Sequence, residues 1–289
     1  MNILVTGSNG QLGSEIKDLE AHFTDFKFFF MDLPDLDICN NSQLDVFFKD
    51  KNINTVINCA AYTAVDKAEQ DSEIANEVNS TGVLNLVNAL EKVGGKLIHI
   101  STDYVFDGNS FLPYQELDQV NPIGVYGNTK RSGELEVINS DIDAIVIRTS
   151  WLYSAYGTNF VKTMLRLGNE RDELGVIYDQ VGTPTNASDL AKTCLDILAY
   201  SKKDNINSKG SLYHFSNEGV ASWYDFSIAI MTLGKVNCQV KPIETKDYSS
   251  PGKRPHFSVL NKSKIKNDFE IDISYWRDSL KVCIEKIKN

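Results

Sequence analysis

Tyr126 and Lys130 stand four residues apart just after the turn Asn121-Pro122, and on a helix that spacing projects both side chains from one face. A phenol beside an ammonium suits proton donation to a carbonyl oxygen that receives a hydride. An unperturbed tyrosine titrates at about 10 and exchanges protons poorly at neutral pH, so Lys130 is expected to stabilise the Tyr126 phenolate and lower that value. Ser101-Thr102 follows the strand-like run Lys96–Ile100, at the edge where ligands of open α/β sheets bind. The Thr102 hydroxyl is placed there to hydrogen-bond the substrate oxygen and fix it for attack.

A second group of residues points to the hydride source. Gly7, Gly10 and Gly13 occupy the segment Thr6-Gly7-Ser8-Asn9-Gly10-Gln11-Leu12-Gly13, between a short β-branched run and a stretch with Leu12, Ile16, Leu19 and Phe23 near helical spacing. Glycines in a strand-turn-helix allow a tight turn and a close approach of backbone N–H groups to a pyrophosphate at the helix N-terminus. Their spacing is Gly-x-x-Gly-x-x-Gly rather than Gly-x-Gly-x-x-Gly. Asp32 ends the next apolar run, 19 residues after Gly13, where a dinucleotide presents its ribose hydroxyls. No Lys or Arg lies between Lys27 and Lys49 to hold a 2′-phosphate, so the local charge favours NADH, or use of both cofactors, over strict NADPH.

Alternating elements must carry these groups. Strand-like runs at Asn2–Thr6, Lys27–Met31, Thr55–Cys59, Lys96–Ile100 and Ala144–Ile147 alternate with helix-like stretches at Gln43–Asp50, Glu73–Val93 and Val125–Asn139. This rhythm predicts an α/β fold with a Rossmann-type doubly wound parallel sheet. Past residue 150 it loosens around Gly168, Gly175, Gly182 and Pro184, which predicts a smaller, irregular α/β substrate-binding domain. Residues 1–150 are read as the dinucleotide-binding domain, with about 181–216 packing back on it and 151–180 plus 217–289 binding substrate. Ser201–Gly210 is expected to be an exposed loop, and Tyr248–Pro255 to be rich in turns.

The 289 residues are 42% hydrophobic and 24% charged, which excludes disordered and fibrous chains. A formal charge of −10 disfavours nucleic-acid binding. Cys39, Cys59, Cys194, Cys238 and Cys283 lack disulfide or metal-ligand spacing and are expected to be reduced and mostly buried. With no signal-peptide pattern and no apolar run of membrane-spanning length, the expected location is cytoplasmic, away from any membrane.

Longer motifs sharpen the reading. Asn58-Cys59-Ala60-Ala61-Tyr62-Thr63-Ala64-Val65-Asp66-Lys67-Ala68-Glu69, Ser101-Thr102-Asp103-Tyr104-Val105-Phe106, Arg148-Thr149-Ser150-Trp151-Leu152-Tyr153, Asn159–Leu165, Asp179-Gln180-x-Gly182-x-Pro184-Thr185 and Arg254-Pro255-x-x-Ser258-x-Leu260 follow one another nearly to the C-terminus. With the glycine loop, Thr102 and Tyr126-x-x-x-Lys130, the chain resembles the dTDP-4-dehydrorhamnose reductase family of extended short-chain dehydrogenase/reductases.

The resemblance implies reduction of the C4 ketone of dTDP-4-dehydro-L-rhamnose by NADPH or NADH, the closing step of dTDP-rhamnose synthesis. It implies that Gly7, Gly10, Gln11, Leu12 and Gly13 hold the pyrophosphate, that Asp32 meets the ribose, and that Ala60, Ala61, Tyr62, Tyr126 and Lys130 lie along the cofactor. It also places Val65, Asp66, Thr102, Asp103, Tyr104, Tyr126 and Trp151 at the nucleotide sugar. Arg254, after Pro251-Gly252-Lys253, suits a loop from which a guanidinium clamps a diphosphate. Some family members dimerise through Mg²⁺ on acidic side chains, and Glu15 and Asp189 fall at matching places, with Asp where Glu is usual. The residues are read as two solvated helix carboxylates and no metal, in a monomer or homodimer.

Three other functions fit parts of the pattern. A 4,6-dehydratase typically carries Thr-Asp-Glu where this chain has Thr102-Asp103-Tyr104. A 4-epimerase, or another nucleotide-sugar reductase of the same family, would use the same fold. A non-catalytic dinucleotide-binding regulatory subunit would be expected to have lost Thr102, Tyr126 or Lys130.

Overall fold

In the computed structural model, which describes residues 1–204, 209–248 and 252–288, six parallel strands form the central sheet. They are β1 (Asn2–Thr6), β2 (Lys27–Met31), β3 (Thr55–Asn58), β4 (Lys96–Thr102), β5 (Asp143–Thr149) and β7 (Ser211–His214), in the order β7-β5-β4-β3-β1-β2. The chain leaves β1 for β2 on one side and returns to β3 on the other. That reversal opens a crevice at the carboxyl ends of β1 and β3, where doubly wound sheets bind ligands.

Strand alternation divides the core between the two faces of the sheet. Ile3, Val5, Ile57 and Ile98 pack with Leu12 and Ile16 of α1 (Gln11–Leu19) and with Leu190, Cys194 and Leu198 of α6 (Ala187–Asp204). Leu4, Val56, Leu97 and Val146 pack instead with Leu44 and Phe48 of α2 (Asn41–Lys51), Leu86 and Leu90 of α3 (Gly82–Glu91) and Val137 of α4 (Val125–Ile138). Burial on both faces explains why these strands read as continuous apolar runs. A third cluster joins α5 (Phe160–Glu170), α7 (Trp223–Gly234) and α8 (Trp276–Lys288) to the parallel pair β6 (Glu173–Ile177) and β8 (Gln239–Ile243).

Several details depart from expectation. The long helix around Glu73–Val93 is interrupted by a π turn over Glu77–Thr81, where Asn79 turns its side chain toward two neighbouring segments. Helix α6 continues to Asp204, so the first four residues of the expected Ser201–Gly210 loop are helical, and residues 205–208 lie outside the described ones. All five cysteines are free, but only Cys194 and Cys283 are buried, because the other three sit at the margins of the packed layers.

Helix α4 is tied to the sheet by charge. Glu134 and Arg148 are 0% and 1% exposed and face each other in a two-pronged pair, Nε to Oε1 at 2.7 Å and Nη2 to Oε2 at 2.8 Å. Ser101 donates to the same carboxylate at 2.6 Å. Burial raises the Glu134 pKa, and the hydrogen bonds and charge of Arg148, with Ser101 and Arg131, outweigh it and hold the group below its ordinary value. A depressed carboxylate stabilises the fold above its unfolded pKa, and that contribution is lost as pH falls through the folded value. Glu134→Ala strands the Arg148 guanidinium and is expected to cost about 3–5 kcal/mol in urea unfolding at pH 7, with the gap to wild type narrowing below about pH 4.

Candidate active site

The carboxyl ends of β1, β3 and β4 open into a cavity of about 710 Å³ lined by the glycine loop, the Cys59–Thr63 segment, Ser101–Tyr104, Tyr126, Lys130 and Ser150–Leu152. A buried polar line crosses the strand ends beneath it. Thr6 Oγ1 donates to Asn58 Oδ1 at 2.6 Å, and Asn58 Nδ2 meets His99 Nδ1 at 3.0 Å.

At the first strand end, Gly7 has φ +59°, and a Cβ there would lie 2.7 Å from the Ala60 backbone nitrogen. A Cβ on Gly13 would sit 2.5 Å from Ser8 Cα, so the first turn of α1 presses directly on the loop. Gly10 caps α1 without a side-chain hydrogen bond, and no acidic residue occupies the first turn. The helix therefore presents free N–H groups and a positive dipole end toward the cavity, the environment that favours a pyrophosphate. Gln11 Oε1 is buried there without a partner.

Asp32 closes the loop from the other side, accepting from Asn9 N and Leu33 N, each at 2.9 Å. Asp37 stands on the same stretch of wall, and Lys130 is the one Lys or Arg among the described residues lining the cavity. Two carboxylates at this end suit the free hydroxyls of a ribose better than a 2′-phosphate. These residues fit a bound dinucleotide.

At the other end, α4 brings Tyr126 and Lys130 against β4. Gly127 makes this approach possible, since a Cβ would lie 2.2 Å from the Tyr104 carbonyl oxygen. Lys130 is 2% exposed and donates to Ile100 O at 2.7 Å. Burial, opposed by the charges of Glu134 and Cys59, brings its pKa down to about 8. The Thr102 hydroxyl stands near enough to the Tyr126 phenol to lower its pKa, and the Tyr126 ring meets Tyr104 edge to face at 5.4 Å.

Tyr126 does not show the lowered pKa expected from Lys130. Burial first, then the charge of Asp103, push it up to about 12 against the lowering effect of the Thr102 hydroxyl. Lys130 is turned to the Ile100 carbonyl, so Tyr126 stands as a neutral phenol.

Other expected residues divide by position. Val65, Asp103, Tyr104 and Trp151 line the cavity. Trp151 adopts φ +47°, uncommon for a bulky side chain, and is held there by stacking on Trp223 at 3.5 Å. Asp66 and Arg254 are not on the cavity wall but pair with each other at 3.0 Å, beside Val65. Glu15, expected to be solvated, is buried, with its oxygens accepting from Ser154 Oγ at 2.6 Å and Lys286 Nζ at 2.7 Å. Asp189 accepts from Asn217 and Ser279. These pairings do not fit Mg²⁺, because an ammonium already stands against Glu15. Among the described residues, no three His, Cys, Asp or Glu side chains form a group able to hold a metal.

Over its full length, residues 1–289, the chain matches the family model for the RmlD substrate binding domain. It is 39% identical to the dTDP-4-dehydrorhamnose reductase of Aggregatibacter actinomycetemcomitans, over 96% of this chain and 97% of the relative. The chain belongs to the dTDP-4-dehydrorhamnose reductase family. A crystal structure of such a reductase from Clostridium acetobutylicum superposes with a TM-score of 0.93 at 41% identity, covering both chains completely. The family member from Bacillus anthracis, solved in complex with NADP, gives 0.92 at 34% identity over 99% of each chain.

Positioning residues escaped the sequence reading. Asn79 accepts from Tyr62 N at 2.9 Å and donates to Thr129 Oγ1 at 3.1 Å, tying the Tyr62 segment to α4 in this family member. Trp223 supports Trp151 from a helix 72 residues away in the sequence. Neither carries a local signal beyond its type. Gly13→Ala drives a Cβ into the loop backbone and is expected to weaken NADPH and NADH binding at least tenfold, or about 1.4 kcal/mol, by fluorescence titration, with far-UV circular dichroism unchanged.

Proposed function

We propose that the protein reduces the C4 ketone of dTDP-4-dehydro-L-rhamnose to dTDP-L-rhamnose. The observation that carries this reading is one cavity whose wall holds a glycine loop and helix N-terminus together with Thr102, Tyr126 and Lys130. The full-length family match supports it.

When bound, NADPH or NADH supplies the hydride. Gly7, Gly10, Gln11, Leu12 and Gly13 hold the pyrophosphate, Asp32 meets the ribose, and Ala60, Ala61 and Tyr62 line the cofactor. Thr102 holds the ketone oxygen, and Tyr126 delivers the proton to the alkoxide forming there. The Lys130 ammonium, fixed by Ile100, supplies positive charge that stabilises Tyr126 as its proton leaves. Asp103, Tyr104, Trp151 and Val65 enclose the sugar. Arg254 takes the diphosphate by exchanging Asp66 for phosphate oxygens, its guanidinium being suited to either anion.

Residues 1–150 form the dinucleotide-binding part, joined by β7 and α6, while 151–180 and 217–289 bind the nucleotide sugar. No described helix is long and apolar enough to cross a membrane, which suits a cytoplasmic biosynthetic enzyme.

The decisive assay follows absorbance at 340 nm with dTDP-4-dehydrorhamnose generated in place. Stoichiometric NADPH or NADH oxidation with formation of dTDP-L-rhamnose is the expected outcome, and cofactor binding without oxidation would refute the reading. Tyr126→Phe is expected to lower kcat by roughly 10²–10⁴-fold with cofactor affinity retained. Lys130→Met is expected to weaken both.

A further inference from the structure

The first residues of α1, Gln11 and Leu12, lie on the cavity wall, and Glu15 and Asp18 follow Gln11 at helical spacing on one face. Segment 154–159 runs along that face. Ser154 Oγ donates to Glu15 Oε1 at 2.6 Å and accepts from Tyr156 N at 3.0 Å. Tyr156 Oη donates to Asp18 Oδ2 at 2.8 Å, and a Cβ on Gly157 would lie 3.3 Å from Gln11 Cγ. Asn159 Nδ2 braces the turn by donating to Ser154 O at 2.7 Å and Tyr156 O at 3.2 Å. Gly157, Thr158 and Asn159 then complete the cavity wall next to Gln11.

Both carboxylates meet a single cation. Lys286 of α8 donates to Glu15 Oε2 and to Asp18 Oδ2, each at 2.7 Å, and its Nζ stands 4.6 Å from the centre of the Tyr156 ring. Ion pairs between exposed side chains contribute little, but Glu15 is 2% exposed. Without Lys286 it is a buried carboxylate whose remaining donor among the described residues is the Ser154 hydroxyl. Burial lowers the Lys286 pKa, and the hydrogen bonds and charges of Asp18 and Glu15 outweigh it and hold the group above its ordinary value. The cation therefore persists through the neutral range.

We propose that Lys286 is a positioning residue for the dinucleotide: paired with Glu15 and Asp18, it offsets their charge behind the pyrophosphate end of α1 and keeps segment 154–159 seated against Gln11, so that the C-terminal helix sets cofactor affinity. This role rests on the glycine loop being a dinucleotide site.

Distance separates the two carboxylates. At about 1.5 Å of rise per residue, Glu15 lies roughly 8 Å along the helix axis from Gly10, and Asp18 roughly 12 Å. Salt screens exposed charges beyond about 8 Å at physiological ionic strength and buried ones less. An anion at the helix N-terminus therefore meets the field of buried Glu15 and little of the field of Asp18. Lys286 acts on charge mainly through Glu15, and on the cavity wall through both carboxylates and the Ser154 and Tyr156 hydroxyls they receive. Neither Lys286 nor Glu15 is on the cavity wall, and Tyr126 and Lys130 stand on a different helix, so the effect falls on binding rather than on proton transfer.

Fluorescence titration with NADPH and with NADH, paired with steady-state oxidation on the 4-keto sugar, tests this role. Lys286→Met is expected to raise the Kd and KM of both cofactors about tenfold, with kcat at saturating cofactor within about twofold of wild type. Lys286→Arg keeps the cation and is expected to bind within about threefold of wild type. Glu15→Gln keeps an oxygen to accept from Ser154 but carries no charge, and added to Lys286→Met it is expected to restore most of the lost affinity. Lys288→Met removes instead the 2.7 Å bond from α8 to Gly234 O and is expected to leave cofactor affinity unchanged. Unchanged Kd in a folded Lys286→Met, an equal loss in Lys288→Met, or a double variant as weak as the single one would overturn the proposal. Should Lys286→Met not fold, Tyr156→Phe cuts the bond to Asp18 alone and is expected to weaken cofactor binding about threefold, with no change counting against the proposal. Failure of the wild-type protein to bind either cofactor would instead refute the dinucleotide reading.

Discussion

The buried ion pair between Glu134 and Arg148 is the interaction on which the geometry of the candidate site hangs. It joins α4 to β5 and, through Ser101, to β4, with none of the three groups exposed. Removing two charges from water is costly, and the cost is offset only when each charge meets a complementary partner at close range. This geometry meets the condition, since the two N–H donors on one edge of the guanidinium meet the two oxygens of one carboxylate. The result is a helix that cannot slide along the sheet without stranding a charge. Tyr126 and Lys130 ride on that helix, and Thr102 ends the strand beside it.

Fixing the helix decides the electrostatics of the site. Lys130 is drawn to a backbone carbonyl rather than to the phenol, and the phenol is left protonated at a raised pKa of about 12. A neutral phenol is the form a reduction needs at its outset. Its high pKa means that donation depends on charge developing at the ketone and on where the hydroxyl points. Orientation is therefore as consequential as acidity.

The distal half of the cavity obeys a different constraint. Backbone contact at Gly7 and Gly13 leaves no room for side chains, so this end of the cavity offers an anion N–H groups and a helix dipole rather than cations. Asp32 and Asp37 make the adjoining wall acidic. Away from the cavity, Lys286 links α8 to Glu15 and Asp18 of α1, and Ser154 reaches Glu15 from the segment preceding Gly157, which lines the cavity. Lys286 thus holds α1, near the start of the chain, against the C-terminal helix.

The sequence by itself determined the β-α rhythm, the glycine loop, the grouping of Tyr126 with Lys130 on one helix face and the acidic end of the second strand. Each is a local pattern: strands buried on both faces must be apolar along their length, a close turn must be glycine, and a helix repeats its face every three to four residues. Five of the six sheet strands and helix α4 were legible on those grounds. Tertiary structure alone decided what each polar group faces. Glu15 looked like a solvated helix carboxylate until Lys286 and Ser154 closed on it, and Arg254 is met by Asp66, 188 residues away. Lys130 was expected to act on Tyr126, four residues before it, but a carbonyl from β4 lies within 2.7 Å. Asn79 and Trp223 gave no signal because their partners are distant in the chain. Spacing along a helix fixes which residues share a face, whereas the pKa of a buried group depends on its nearest atoms in three dimensions, which only the folded chain brings together.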